Sequence, residues 1–252
     1  MRNLAVFVIL IVCWSTFGFG QEEPIPPKRS RMAKIGLFGA FTPGWIFPDV
    51  KPINDFLKGG GAAPLKDDGV LLWGGSGAAY IMLVPNLRLG GVGMSGSIKS
   101  TLVNVTTNAR KDAQLRIGYG GVTIEYVVPI VEQLDVAVGT MLGAGGIDLV
   151  LRQSNRQTDT WQSEQDFLRT GMTTPTTNNV TRTLTGTFFV YIPSLYVEYT
   201  ILGWLAVRGG VSYVGMAAPS WEVDGNYELL GVPGEVNGKG FMVNAGLMLG
   251  TF

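Results

Sequence analysis

The chain has 252 residues, with 19 basic and 19 acidic side chains, no histidine and one cysteine, Cys13. That balance leaves no electrostatic footprint for nucleic acid, and the missing histidine rules out a Ser-His-Asp triad and leaves zinc mainly carboxylate ligands. The hydrophobic fraction is 46%, yet no apolar run of about 18 residues follows the N-terminal stretch, which argues against a helical membrane span.

In chain order, Arg2, the apolar stretch 4–14 and Gly18-Phe19-Gly20 read as an export signal cleaved after Gly20. Val12 stands before Cys13 where a lipoprotein signal wants a small residue, so Cys13 reads as an apolar residue of the signal. Loss of 1–20 removes Arg2 and the only cysteine, leaving 18 basic and 19 acidic residues and no possible disulfide. Residues 21–32 (QEEPIPPKRSRM) are polar and Pro-rich, and read as a flexible leader before a single domain over 33–252.

Eight strand-like segments follow, at 33–43, 70–84, 87–105, 113–128, 134–152, 184–200, 204–217 and 240–252. Each is rich in β-branched and aromatic residues and bounded by Gly, Pro, Asn or Asp. Residues 52–58 (PINDFLK) form the exception, a short helix inside the first long connection, with Pro52 suited to its first turn and Gly59 to its end. The connections alternate in length. Hairpin-sized turns lie at Pro85-Asn86, around 129–133 and at Leu202-Gly203, while 44–69, 106–112, 153–183 and 218–239 separate the other segments. Short turns on one side and long loops on the other, with an even strand number, are what a membrane-spanning barrel requires. The fold expected is therefore all-β, an antiparallel up-and-down transmembrane β-barrel of eight strands.

Aromatic residues fall near segment ends. Tyr126, Tyr196, Tyr199, Trp204 and Phe252 lie toward the tight turns, and Trp45, Phe47, Trp73, Phe188, Phe189, Tyr213 and Phe241 toward the long loops, as two interfacial girdles would. In the last segment Phe241, Val243, Ala245, Leu247 and Leu249 share one face at period two. The segment around 113–128 is ambiguous, because Ile117 and Tyr119 oppose Val122, Ile124 and Tyr126. Apolar residues on both faces also suit a secreted or periplasmic soluble barrel or sandwich that binds an apolar ligand, and that reading stays open.

In layout over 33–252, and in its last segment FMVNAGLMLGTF ending on Phe252, the chain resembles the small bacterial outer-membrane β-barrel proteins of the eight-stranded class. Gly250 stands where that class usually has an apolar residue. The resemblance implies Phe252 as a signal read by the barrel-assembly machinery, outer-membrane lipid as the surrounding medium, and a place in the cell outer membrane. The Thr-, Gln- and Asn-rich loop 153–183 would then face outward and could meet an extracellular partner.

Charges inside the segments are few: Arg88, Arg116, Glu125, Asp135, Asp148, Glu198 and Arg208. Glu198 and Arg208 should be neighbours across a hairpin. Arg88, Glu125, Glu198 and Arg208 are the candidate polar cluster of a plugged lumen, with solvated strand-end charges as the competing reading. Gly91 to Gly96 (GVGMSG) has dinucleotide-binding spacing, but strand-like residues follow where a helix is needed, so no cofactor is expected. Asp67-Asp68 and Glu164/Asp166 sit in loops without catalytic company. The expected role is structural, surface interaction or limited small-solute passage, without catalysis.

Overall fold

The computed structural model describes residues 36–104, 109–154 and 179–251. The export signal, the leader, most of loop 153–183 and Phe252 lie outside these residues. Among them, ten strands form one antiparallel sheet: β1 (Leu37–Phe41), β2 (Gly44–Pro48), β3 (Val70–Tyr80), β4 (Leu87–Asn104), β5 (Ala109–Val131), β6 (Leu134–Ser154), β7 (Asn179–Leu202), β8 (Leu205–Val223), β9 (Tyr227–Glu228) and β10 (Gly240–Gly250). One helix, α1 (Lys51–Gly59), accompanies them.

Strands β3 to β8 pair in sequence order; β10 pairs with β8 on one side and with β1 and β2 on the other, and these two pair with β3. The sheet thereby closes into a ring of eight strand positions, β1 and β2 sharing one. Over the height of β3 and β10 closure removes the edges of the sheet; above it, β4 beyond Gly96 pairs only with β5, and β8 beyond Val214 pairs with β7 and the two-residue β9. The shared position breaks at Thr42-Pro43, where the proline has no N–H to donate. Thr42 N donates to Gly74 O at 3.0 Å, and Pro43 O accepts from Ala245 N at 3.1 Å, so the two pieces stay in line.

Several limits differ from the sequence expectation. The first segment runs on to Pro48 because Gly44–Pro48 pairs with β10. The connection 106–112 contracts to 105–108, since Thr101 to Asn104 pair with Asp112 to Ala109. The turn at Pro85-Asn86 is a longer connection over 81–86, closed by Ile81 N donating to Leu87 O at 2.8 Å and by Asn86 at φ 64°. Ladder pairs Val131↔Leu134 and Leu202↔Leu205 leave the other two connections tight.

Side chains alternate across the wall, with a bulge in β8 that shifts its phase between Met216 and Trp221, and the chemistry of the two faces changes along the barrel. From the turn end to about the level of Trp73 and Phe189, outward positions are apolar: Leu89, Val122, Val138, Leu195, Val211 and Val243 are all exposed. Such a belt, about 9–11 residues per strand, matches what a strand needs to cross a bilayer. Trp45, Phe47, Trp73, Phe189 and Phe241 face outward along its upper rim, and Tyr126, Tyr199 and Trp204 along its lower rim. Phe188 and Tyr196, assigned to the girdles by position, instead point inward, because they lie one residue out of phase with their outward neighbours.

Beyond the upper rim the polarity inverts. Outward positions become Ser97, Lys99, Gln114, Arg116, Asp148, Arg152 and Thr185, while inward positions become Leu72, Leu115, Ile117, Ile147 and Phe188, all buried. This inversion explains the ambiguous segment: in β5 the odd positions Leu115, Ile117 and Tyr119 face in throughout, and Val122, Ile124 and Tyr126 face out within the belt. The upper interior is a dry core closed by α1, whose Ile53 and Leu57 lie one turn apart on its buried face. Asn54 clamps the helix to the following segment, donating from Nδ2 to Leu65 O at 3.0 Å and accepting from Leu65 N at 2.7 Å. Ser100 Oγ and Lys111 Nζ donate to the carbonyls of Ala63 and Gly60, each at 2.8 Å, and tie the same connection to the wall.

Glycine thins the wall where it crowds. A Cβ on inward-facing Gly143 would collide with the carbonyl oxygen of Gly120 and the Cα of Gly121. The Gly91 to Gly96 stretch lies wholly within β4, which continues as a strand to Asn104 and not into a helix.

Candidate functional site

Near the turn end, period-two alternation points Arg88 on β4, Glu125 on β5, Asp135 on β6, Glu198 on β7 and Arg208 on β8 into the lumen. The register makes Arg88 and Glu125 direct cross-strand partners, and likewise Asp135 with Glu198 and Glu198 with Arg208. Ring closure then carries Arg88 across the lumen to Glu198.

The structure brings all four candidate residues into one buried network. Arg88 Nε donates to Glu125 Oε2 at 2.6 Å, Arg88 Nη1 to Glu198 Oε2 at 2.9 Å, and Arg88 Nη2 to Glu198 Oε1. Arg208 Nη2 donates to Glu125 Oε1 at 3.0 Å and lies 3.4 Å from Glu198 Oε1. Each of the four carboxylate oxygens therefore accepts from a guanidinium, and Arg88 is only 1% exposed. Charge-assisted, partly bidentate pairing of this kind is what makes burial of such ions tolerable.

Aromatic rings complete the shell. Arg208 stacks 3.7 Å from the Tyr196 ring centroid, and Arg88 lies 5.0 Å from Phe38 and 6.0 Å from Tyr80. These three rings are the residues that sequence reasoning missed. Tyr196 was within reach, being two positions from Glu198 on the same face, and Tyr80 lies across the ladder from Arg88. Phe38 carried no local signal, because β1 reaches β3 only across the long connection that holds α1.

Above the charges is a polar layer. Asn244 Nδ2 donates to Ser212 Oγ at 2.7 Å, and Ser212 Oγ donates to Ser194 Oγ at 2.9 Å. A cavity of about 40 Å³ lies among Thr42, Ser76, Ser194 and Asn244, with room for little more than water. A sulfur layer follows, in which the Tyr119 hydroxyl donates to Met242 Sδ at 2.9 Å beside Met94. The remaining charges named from sequence, Arg116 and Asp148, face outward beyond the upper rim as direct cross-strand partners and have no part in the network.

No protein-family profile matches the chain, and no curated protein does. Among solved structures it is similar to Ail, the attachment invasion locus protein of Yersinia pestis, in a complex with the heparin analogue sucrose octasulfate; identity is 10%, TM-score 0.37, and the match covers 86% of this chain and 100% of that one. A major outer membrane protein from Thermus thermophilus matches at 10% identity and TM-score 0.42, over 85% of this chain and 98% of that one. The outer membrane protease OmpT from Escherichia coli matches at 13% identity and TM-score 0.32, over 87% and 96%. The solved structures that this chain resembles are outer-membrane β-barrel proteins, and no one member stands out as its counterpart.

Proposed function

We propose that this chain is a closed outer-membrane barrel that anchors and presents a cap at its loop end, and that it serves neither as a wide pore nor as an enzyme. The observation that carries this reading is the filling of the interior. A charge network, a polar layer, a sulfur layer and an apolar core topped by α1 succeed one another along the axis. Interiors of eight-position barrels are just wide enough for side chains to fill. The apolar belt favours a lipid exterior over the soluble, ligand-binding alternative, because exposed Leu, Val and Phe around a whole ring would aggregate in water.

Against catalysis stand the absence of histidine and a lumen network whose carboxylate oxygens are all engaged. On this reading the export signal at 1–20 and Phe252 serve delivery and assembly, the tight turns face the periplasm, and loop 153–183 is available to a surface partner. Membrane fractionation with a gel comparing boiled and unboiled protein tests location: recovery in the outer membrane with a heat-dependent mobility shift is expected, and a soluble protein without a shift refutes it. Reconstitution in a planar bilayer should give no sustained porin-sized conductance; regular large steps would refute closure.

A further inference from the structure

At the loop end, α1, the upper parts of β6, β7 and β8, and the segment 229–236 enclose a cavity of about 400 Å³. Its floor is buried Ile53, Ile147, Leu149 and Trp221, and its rim carries Phe56, 55% exposed, and Leu230, 79% exposed. The enclosing segment is built, not incidental: Leu229 N donates to Trp221 O at 2.9 Å, Gly231 turns at φ 76°, and Val236 N donates to Pro233 O at 3.0 Å. A volume in the range of small-molecule sites, with an almost wholly apolar lining, asks for an alkyl chain or a flat apolar body. Charge narrows the choice. A second cavity of about 200 Å³ adjoins the first through Phe56, Leu151 and Arg182, and it carries the cations of Lys111 and Arg182, while Asp112 and Arg152 at its edge form an outward-facing cross-strand pair. Lys111 reaches the Gly60 carbonyl, and Arg182 shares its charge with Asp224 at 2.6 Å.

We propose that this pair of cavities is a binding site for a single-chain anionic amphiphile, its alkyl chain in the apolar chamber and its headgroup over the cationic one. The site needs no opening of the lumen, because the apolar core and the charge network lie beneath it. It rests on the closed-barrel reading only for the side of the membrane from which a ligand would enter.

The test uses full-length mature protein refolded and held in amphipol, titrated calorimetrically with decanoate and with decyltrimethylammonium, against amphipol alone. Saturable binding of decanoate at one per chain is expected, at least tenfold tighter than the cationic amphiphile. Val232→Trp, at a half-buried position in the 229–236 segment and outside the barrel strands, would fill the chamber and should weaken decanoate at least tenfold. Lys111→Gln with Arg182→Gln should bring the two headgroups within about threefold of each other. Heat equal to that of amphipol alone, or Val232→Trp binding decanoate unchanged while retaining its heat-dependent gel shift, overturns the site. Equal binding of both headgroups by the unaltered protein overturns its anionic preference. Fractionation is scored separately: a soluble chain that still binds decanoate would refute the membrane reading and leave this site standing.

Discussion

Replacing Glu198 by glutamine keeps the side-chain shape and removes one charge from the lumen. Glu198 is 4% exposed and accepts from both terminal nitrogens of Arg88, so the substitution leaves Glu125 as the one glutamate of the network that still accepts from Arg88 and Arg208. Breaking a buried pair from one side costs about 3–5 kcal/mol, because the orphaned cation keeps its desolvation penalty. Removing Arg88 as well, as Arg88→Met, leaves Arg208 paired with Glu125 at 3.0 Å and the charge balance restored. The double variant should therefore lose less than the sum of the two single losses, with a coupling of about 2–3 kcal/mol. Urea unfolding in lipid vesicles, followed by tryptophan fluorescence and by gel mobility, measures all four corners of the cycle. A Glu198→Gln loss below about 0.5 kcal/mol, or strict additivity, would refute the claim that these residues act as one network.

Three further outcomes follow from the geometry. Val138→Arg, outward and mid-belt, should destabilise the lipid-embedded protein by about 2–4 kcal/mol, whereas Thr185→Arg, outward above the rim between Asp148 and Glu222, should cost almost nothing; urea titrations of the two in vesicles check this. Gly143→Ala drives a Cβ against the Gly120 carbonyl and should cost about 1–3 kcal/mol, while Gly93→Ala, with open space around its Cβ, should be neutral or slightly stabilising by the same measurement. Asp224, outside the belt, accepts from Thr183 N at 2.9 Å and from Arg182, which holds its carboxyl below the ordinary aspartate range. Its contribution should be complete above the ordinary aspartate pKa and vanish as pH falls through the lowered value, so the protection factor of the Thr183 amide, the exchange rate of an unstructured amide over its own at the same pH, should fall in acid, and Asp224→Asn should abolish that dependence.

Strand number and hairpin order were legible because each tight turn sits between segments of period two, and lateral pairing obeys that local rule. The break at Thr42-Pro43 was legible only as an end: Pro43 marks a missing donor, but whether the chain stops or resumes in line depends on β10, far along the chain. The two-zone exterior was not legible, since period two reports which residues share a face and not whether lipid or water lies outside. β5 crosses both media, so its apolar residues change sides of the argument without changing sides of the wall. For the lumen network, Glu198–Arg208 followed from the turn register, and Arg88 with Glu125 from one further ladder. Their meeting required the ring to close, as did the chamber built by 229–236, whose residues carry no repeating pattern.

The interrupted strand has a kinetic meaning. β3 to β8 can zip as successive hairpins, each pairing neighbours in sequence, whereas the seam between β10 and the β1–β2 position joins residues such as Leu37 and Thr251 that are 214 apart. Non-local pairing of that kind forms last and slowest. The charge network ties together β4, β5, β7 and β8 and, among the described residues, contributes no ion pair to the seam. The wall is thus braced where it forms early and jointed where it closes late, so an unfinished barrel would be a pre-folded curved sheet waiting for its two outermost strands to meet.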